Sequence, residues 1–543
     1  MNGRWVAAVA ALHLLGIAAG AEDFDTAFKA YKTGVKRPSL RKRHEARERL
    51  ARTGDARALK ALIQDYGRPE EPKDQVRYLI ASITSEAFPG KEHAQTFDDW
   101  RARNSSATDA WLWFLALRQH LEAAGPEEVV AVARSDKNVF LRAAAIEALR
   151  FDREGDPLPF LAEMERKLPS SSTDRAVLLE SLTALLCSRD EQLKTPQFAE
   201  VASALIRRMD EPGTMDRTRI AMGRQFARLF KTRFVWRDGA RWQQELDFVQ
   251  HGGKQPQDER YAPPKFAGIE ASGDRICYVI DLSDSMLEPL TPGELKNLPK
   301  GPVTGTPSAN AKIAKNDAWT KAFENVRWDK VTNKFEAARE MLKASLLMLE
   351  ENQHFCVICF GDGAGTLKGT KGLQKATLDN IQGAIRTLDA IKPGAKKQDR
   401  PYGTLMGATN MHGGLHRAYK LKSGMMVGPG EYVNAATFDD GCDTIFLLSD
   451  GAPTWDDWAA HDSKDVGDYA GDPESGARHQ DSDNLIFQGP YARGYQIIDD
   501  VTRLNLFRKA EIHCVGMGGA EMNMLETLAA IGKGRAVDLT QGK

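Results

Sequence analysis

Three oxygen-bearing side chains stand at alternate positions in Asp281-Leu282-Ser283-Asp284-Ser285-Met286, directly after the apolar run RICYVID from Arg275 to Asp281. If the chain turns sharply there, they can face one point. One carboxylate with two hydroxyls is hard-ligand chemistry suited to Mg²⁺ or Mn²⁺. On its own the pattern recurs by chance in roughly one chain in ten of this length, so context must carry the argument. His412 and His416 form a second arrangement, because i, i+4 spacing on a helix puts both rings on one face, as zinc ligands require. The intervening Gly-Gly-Leu supplies no general base of the H-E-x-x-H kind, and no third ligand is evident. Cys356-Val-Ile-Cys359 has the spacing of a redox motif, yet on a strand its two thiols point to opposite faces. Neither a G-x-S-x-G elbow nor a phosphate-binding glycine loop is present.

The elements that must position these residues read differently in the two halves of the chain. From Ile269 onward, short and nearly continuous apolar runs alternate with amphipathic helices. The runs are Arg275 to Asp281, His354 to Gly361, Asp443 to Ser449 and Glu511 to Gly516, as expected of strands covered on both faces. Cys277, Cys356, Cys359 and Cys514 lie in these runs, where Cys serves as a small apolar residue. A helix is expected over Lys334 to Leu349, with Phe335, Ala338, Leu342, Leu346 and Leu349 on one face. This order implies an α/β, doubly wound, mostly parallel sheet, in which ligands bind at the carboxyl ends of the strands.

Before it, from about Ser39 to Val249, almost everything has helical period. Glu45 to Ile63 reads as two short helices joined by Thr53-Gly54-Asp55, with Gly54 suited to a helix end and Asp55 to a cap. Similar pieces begin at Asp74, Asp136 and Asp174. Such helices cannot bury their faces alone, so stacking them as an α-solenoid is the economical arrangement, with an irregular bundle as the alternative. The pattern resembles HEAT-like repeats. The organisation expected is a signal peptide over residues 1–21, an all-α helical-repeat domain over 22–249, a polar Gly- and Pro-rich linker over 250–268, and the α/β domain over 269–543.

The α/β half resembles the von Willebrand factor type A domain. That family's metal-ion-dependent adhesion site combines D-x-S-x-S after the first strand, a Thr in a later loop, and an Asp ending a central strand, commonly in S-D-G. Here Asp281, Ser283 and Ser285 are followed by Thr409 in Gly407-Ala408-Thr409-Asn410 and by Asp450 in Ser449-Asp450-Gly451. The resemblance implies that all five hold Mg²⁺ or Mn²⁺, directly or through water. Two carboxylates only balance a divalent charge, so the metal would keep enough Lewis acidity to take an Asp or Glu carboxylate from a protein partner. That is adhesion chemistry, and it requires no catalysis. Where many family members have a small residue, this chain has Asp284, expected to point to solvent because alternate loop residues face away from the cation.

Three insertions, Met286 to Thr332, Gly394 to Gly407 and Gly451 to Phe487, would emerge on the metal face. The last holds nine acidic side chains, among them Asp456, Asp457, Asp465, Asp468 and Asp472, against Lys464 and Arg478. It is a solvated acidic loop or a second cation site for Ca²⁺, although regular calcium-loop spacing is lacking. Trp455 and Trp458 at its base either anchor a partner or pack the loop onto the domain.

Of the 543 residues, 42% are apolar, and 74 basic side chains stand against 75 acidic ones. A net charge of -1 leaves no global excess of Lys and Arg for binding nucleic acid. Arg4, an apolar run from Trp5 to Ala19, and the small residues around Gly20 read as a secretory signal peptide cleaved between Ala21 and Glu22, with a buried helix as the alternative. No later apolar stretch is long enough to span a bilayer. The expectation is an exported protein, periplasmic or extracellular, with a cation-dependent protein-binding function and no enzymatic one. Two other classes remain: a scaffold whose solenoid binds partners beside an idle adhesion domain, and a metal hydrolase built on His412.

Overall fold

The computed structural model describes residues 22–68, 73–152, 154–232, 234–252, 265–299, 321–322, 324–392, 408–427, 436–459 and 489–540. The expected signal peptide, most of the linker, and large parts of the three insertions lie outside these residues.

Thirteen helices fill the first half of the described chain. They are α1 Phe24–Gly34, α2 Leu40–Ala51, α3 Ala56–Tyr66, α4 Lys73–Ala87, α5 Ala94–Ala102, α6 Ala110–Ala124 and α7 Glu127–Ser135. They continue with α8 Val139–Leu149, α9 Leu158–Arg166, α10 Ser172–Leu186, α11 Pro196–Met209, α12 Asp216–Phe230 and α13 Gly239–His251. The α2–α3 turn has the expected chemistry. Gly54 takes a left-handed φ of 63°, which glycine adopts without a Cβ clash, and Asp55 caps α3 by accepting from the Arg57 N–H at 2.8 Å. The expectation that each piece begins at its Asp needs correcting for two helices. Asn138 caps α8 while Asp136 supports it by accepting from the Asn138 N–H, and Ser171 caps α10 with Asp174 in the first turn.

The second half holds a seven-stranded mixed sheet. Its strands are β1 Arg275–Asp281, β2 His354–Phe360, β3 Ala364–Thr366, β4 Gln374–Lys375, β5 Thr444–Ser449, β6 Glu511–Gly516 and β7 Ala536–Asp538. In space the parallel strands run β7-β6-β5-β1-β2, and β3 and β4 pair antiparallel to the outer edge of β2. The chain therefore winds one way from β1 to β2 and the other way from β5 to β7. The order reverses between β1 and β5, and the crevice at the carboxyl ends of those two strands is where such sheets bind ligands.

Both faces of the sheet are covered, which explains the continuous apolar runs. Ile276, Tyr278 and Ile280 pack with α15 (Lys334–Met348) and α16 (Leu378–Asp389), after the short α14 (Pro292–Asn297). Cys277 and Val279 pack on the other side with α17 (Met411–Tyr419), α19 (Gly494–Arg508) and α20 (Met522–Ile531), beyond the short α18 (Ala436–Asp440). Cys356 and Cys359 fall on opposite faces, and all six cysteines are free thiols.

The core on the α17 side runs without a break into the core of the helical half. Buried polar anchors accompany this contact. Arg224 of α12 reaches the amino ends of β5 and β6, donating to the Asp443 carbonyl at 2.9 Å and the Thr444 hydroxyl at 3.0 Å. Arg237 forms a two-pronged pair with Asp274 at 2.5 and 2.6 Å, and Lys509 pairs with Glu147 of α8. These three anchors hold the helical half at the amino ends of the strands, the end opposite the Asp281 loop.

Candidate metal centre

β1 ends in Asp281 and β5 ends in Ser449, so the parallel register sets the two loops side by side at the point where the strand order reverses. The Ser449 hydroxyl donates to Asp281 Oδ2 at 2.7 Å, and the Ser283 N–H donates to Asp281 Oδ1 at 2.8 Å. Ser283 Oγ lies 3.1 Å from Ser285 Oγ, and Ser285 Oγ donates to Asp450 Oδ1 at 2.7 Å. Four of the five expected ligands are therefore joined in one hydrogen-bonded chain. Thr409, the fifth expected ligand, stands just before α17 and is not joined to this chain by any of these bonds. Its N–H donates to the Thr454 hydroxyl at 3.0 Å and its carbonyl accepts from the Thr454 N–H at 3.1 Å, tying its loop to the segment after Asp450. The Ala408 N–H is held by Asp362 at 2.6 Å, and the Asn410 N–H by the Gly361 carbonyl at the end of β2.

Electrostatically the centre is a buried acidic pair. Asp281 and Asp450 are both buried, and burial followed by repulsion from Asp450 pushes the Asp281 carboxyl up to about 7. The donor set is all oxygen, two carboxylates and three hydroxyls, and a divalent cation would relieve the repulsion that raises Asp281, so these residues fit Mg²⁺ or Mn²⁺. Asp284 is exposed, as expected of the alternate loop position.

Sequence reasoning missed two participants. Ser449 was visible as the residue before Asp450, and its hydroxyl orients Asp281. Lys334, the first residue of α15, is buried and places its ammonium 2.9 Å from Asp450 Oδ2 and 2.5 Å from Glu288 Oε2. Burial alone would lower the Lys334 ammonium, but Glu288 and Asp450 outweigh it and hold the group above its ordinary range. Nothing local in the sequence marks this pair, because its members stand 116 positions apart.

The other candidates have internal partners. Trp458 is buried, donating its indole N–H to Gln75 of α4 at 3.1 Å and meeting the His44 ring edge-on at 5.9 Å. It packs the loop after Asp450 onto the helical half. Trp455 is half-buried in the same loop. Asp456 accepts from the backbone N–H groups of Ala459 and Tyr491, and burial pushes its carboxyl up to about 6. Asp457 accepts from Asn410 and Arg417 at 2.9 and 2.7 Å; burial would raise it, but Arg417 holds it below its ordinary range. Asp465, Asp468 and Asp472, with Lys464 and Arg478, lie outside the described residues.

His412 and His416 do share one face of α17, their rings 5.6 Å apart. His412 Nε2 lies 2.6 Å from Asp500 Oδ2, its ring stacks on Tyr491 at 3.7 Å, and His416 meets Gln75 at 3.3 Å. Burial keeps the His416 imidazole well below its ordinary range, and therefore neutral. A further group of ligand-type side chains, Asp98, His120 and Glu128, lies on the helical half. Arg101 stands 3.5 Å from Asp98 and 3.6 Å from Glu128, so a cation already serves both carboxylates.

Compared with protein-family models and with curated proteins, the sequence matches none. Among the described residues, no helix is long and apolar enough to cross a membrane.

Proposed function

We propose that the chain is an exported, divalent-cation-dependent protein-binding module, in which Asp281, Ser283, Ser285, Thr409 and Asp450 hold Mg²⁺ or Mn²⁺. On this reading the α/β half is a von Willebrand factor type A domain on a HEAT-like helical platform. The observation that carries the reading is the chain of hydrogen bonds from Asp281 through Ser283 and Ser285 to Asp450, placed where the strand order reverses. These residues supply oxygen donors and only two carboxylates, so a bound cation retains Lewis acidity and an Asp or Glu carboxylate from a partner protein completes its shell. Asp281 and Asp450 carry the charge, the hydroxyls orient them, and Ser449 keeps Asp281 aimed at the crevice. The amino-terminal segment motivates the exported location, periplasmic or extracellular, and catalysis forms no part of this function.

The test is capture of the full chain on immobilised peptides that differ only by Asp or Glu against Asn or Gln. Capture by the acidic members, abolished by EDTA and by Asp281→Ala, supports the proposal. Capture that survives both, or that ignores the carboxylate, rejects it. The scaffold reading is favoured by one observation, the Lys334 ammonium that already offsets Asp450 without a metal.

A further inference from the structure

We propose that the Lys334 ammonium is a resident cation that competes with a divalent metal for Asp450, so that Lys334 sets how tightly the centre holds its metal. This inference rests on the metal-binding reading above. The ammonium occupies a built place. Its nitrogen bonds Asp450 Oδ2 at 2.9 Å and Glu288 Oε2 at 2.5 Å, while the Lys334 backbone N–H donates to the Glu288 carbonyl at 3.2 Å. The side chain is 6% exposed, so water screens these contacts weakly. Gly518, at a φ of 56°, closes the place from the β6 side, and a Cβ there would stand 2.6 Å from both Lys334 Nζ and Cε. A Cβ at this position would push the ammonium aside.

Both oxygens of Asp450 are thereby engaged, Oδ1 by the Ser285 hydroxyl and Oδ2 by Lys334. A divalent ion that takes Asp450 as a direct ligand either displaces one of these bonds or uses a remaining lone pair of the same carboxylate, close to the ammonium charge. An ion held through water instead shares the carboxylate with a second positive charge. In either case metal binding works against Lys334, while the metal-free fold gains a neutralised Asp450. The cation affinity is therefore lower than the donor set alone would provide.

The experiment is a calorimetric Mn²⁺ titration of the full chain as wild type, Lys334→Met, Lys334→Arg and Gly518→Ala. Removing the charge with Lys334→Met is expected to lower the Mn²⁺ dissociation constant by roughly tenfold or more. Lys334→Arg restores a value near wild type, and Gly518→Ala, which crowds the ammonium without removing it, shifts the constant in the same direction as Lys334→Met. Melting in EDTA supplies a readout independent of the titration: Lys334→Met loses stability without metal and regains it with Mn²⁺. Wild type that binds Mn²⁺ while Lys334→Met binds equally or more weakly overturns the competition. Absence of binding in wild type, Lys334→Met and Gly518→Ala alike overturns the metal centre itself.

Discussion

Arg224→Met tests whether the two halves of the chain are held by buried charge. Arg224 is buried and donates to the Ser272 hydroxyl at 2.8 Å, the Asp443 carbonyl at 2.9 Å and the Thr444 hydroxyl at 3.0 Å. It also lies 3.5 Å from the buried Glu511 carboxylate and 3.8 Å from that of Asp443. Burial alone would raise Glu511, but His513, Arg224 and Ser272 together hold it down at about 2, against 4.5 for an ordinary glutamate. At 1.36 kcal/mol per pKa unit, that difference corresponds to about 3 kcal/mol, shared among the three partners. Losing one partner of a buried pair together with its hydrogen bonds costs about 3–5 kcal/mol, because the other charge stays buried and uncompensated. Urea unfolding at pH 7, followed by circular dichroism, should show a loss of that size. Because the folded Glu511 is depressed, its contribution is complete above about 4.5 and fades as the pH falls toward 2, so the gap between wild type and variant should narrow over that window. Adding Glu511→Gln to Arg224→Met should recover about 1 kcal/mol or more by removing the stranded charge. A loss below 1 kcal/mol, or a gap that widens on acidification, would refute this account of the interface.

Asp500→Asn should destabilise the protein by about 3 kcal/mol or more in the same urea assay, since it strips the charge that Arg503 meets at 2.6 Å and that His412 meets at 2.6 Å. A change within 1 kcal/mol would mean that this buried group contributes little. The thiols should be inert toward a disulfide reagent at pH 8 in the native protein and react fully in denaturant. Burial pushes Cys359 and Cys187 up to about 12 and raises Cys277, Cys356 and Cys514 as well. Rapid stoichiometric labelling of the native chain would contradict this.

What the sequence made legible follows the range of the forces involved. The four long strands were readable because both faces are covered, and Glu511–Gly516 falls where its apolar run places it. The strands Ala364–Thr366, Gln374–Lys375 and Ala536–Asp538 were not, since two or three residues carry no periodic signal and exist through pairing with β2 and β6. The α2–α3 turn was readable because glycine and aspartate act locally there, whereas the α8 cap went to Asn138, two residues beyond the expected aspartate. The same contrast holds at the centre. Asp281, Ser283 and Ser285 share one loop, and their spacing announces them. Lys334 with Asp450, His412 with Asp500, and Trp458 with Gln75 meet only through tertiary packing, which for Lys334 is that of α15 against β1 and the turn after it.

The central claim is that the Asp281 to Asp450 crevice binds a divalent cation. Thermal unfolding of the full chain with Mg²⁺, with Mn²⁺ and with EDTA, beside Asp281→Ala and Asp450→Asn, tests it most directly. A cation at 100 times its dissociation constant adds about 2.7 kcal/mol, so the wild type should melt higher with Mg²⁺ or Mn²⁺ than with EDTA while neither variant responds. A wild type that melts alike in all three conditions, or an Asp281→Ala variant that shifts as much as wild type, would contradict the claim.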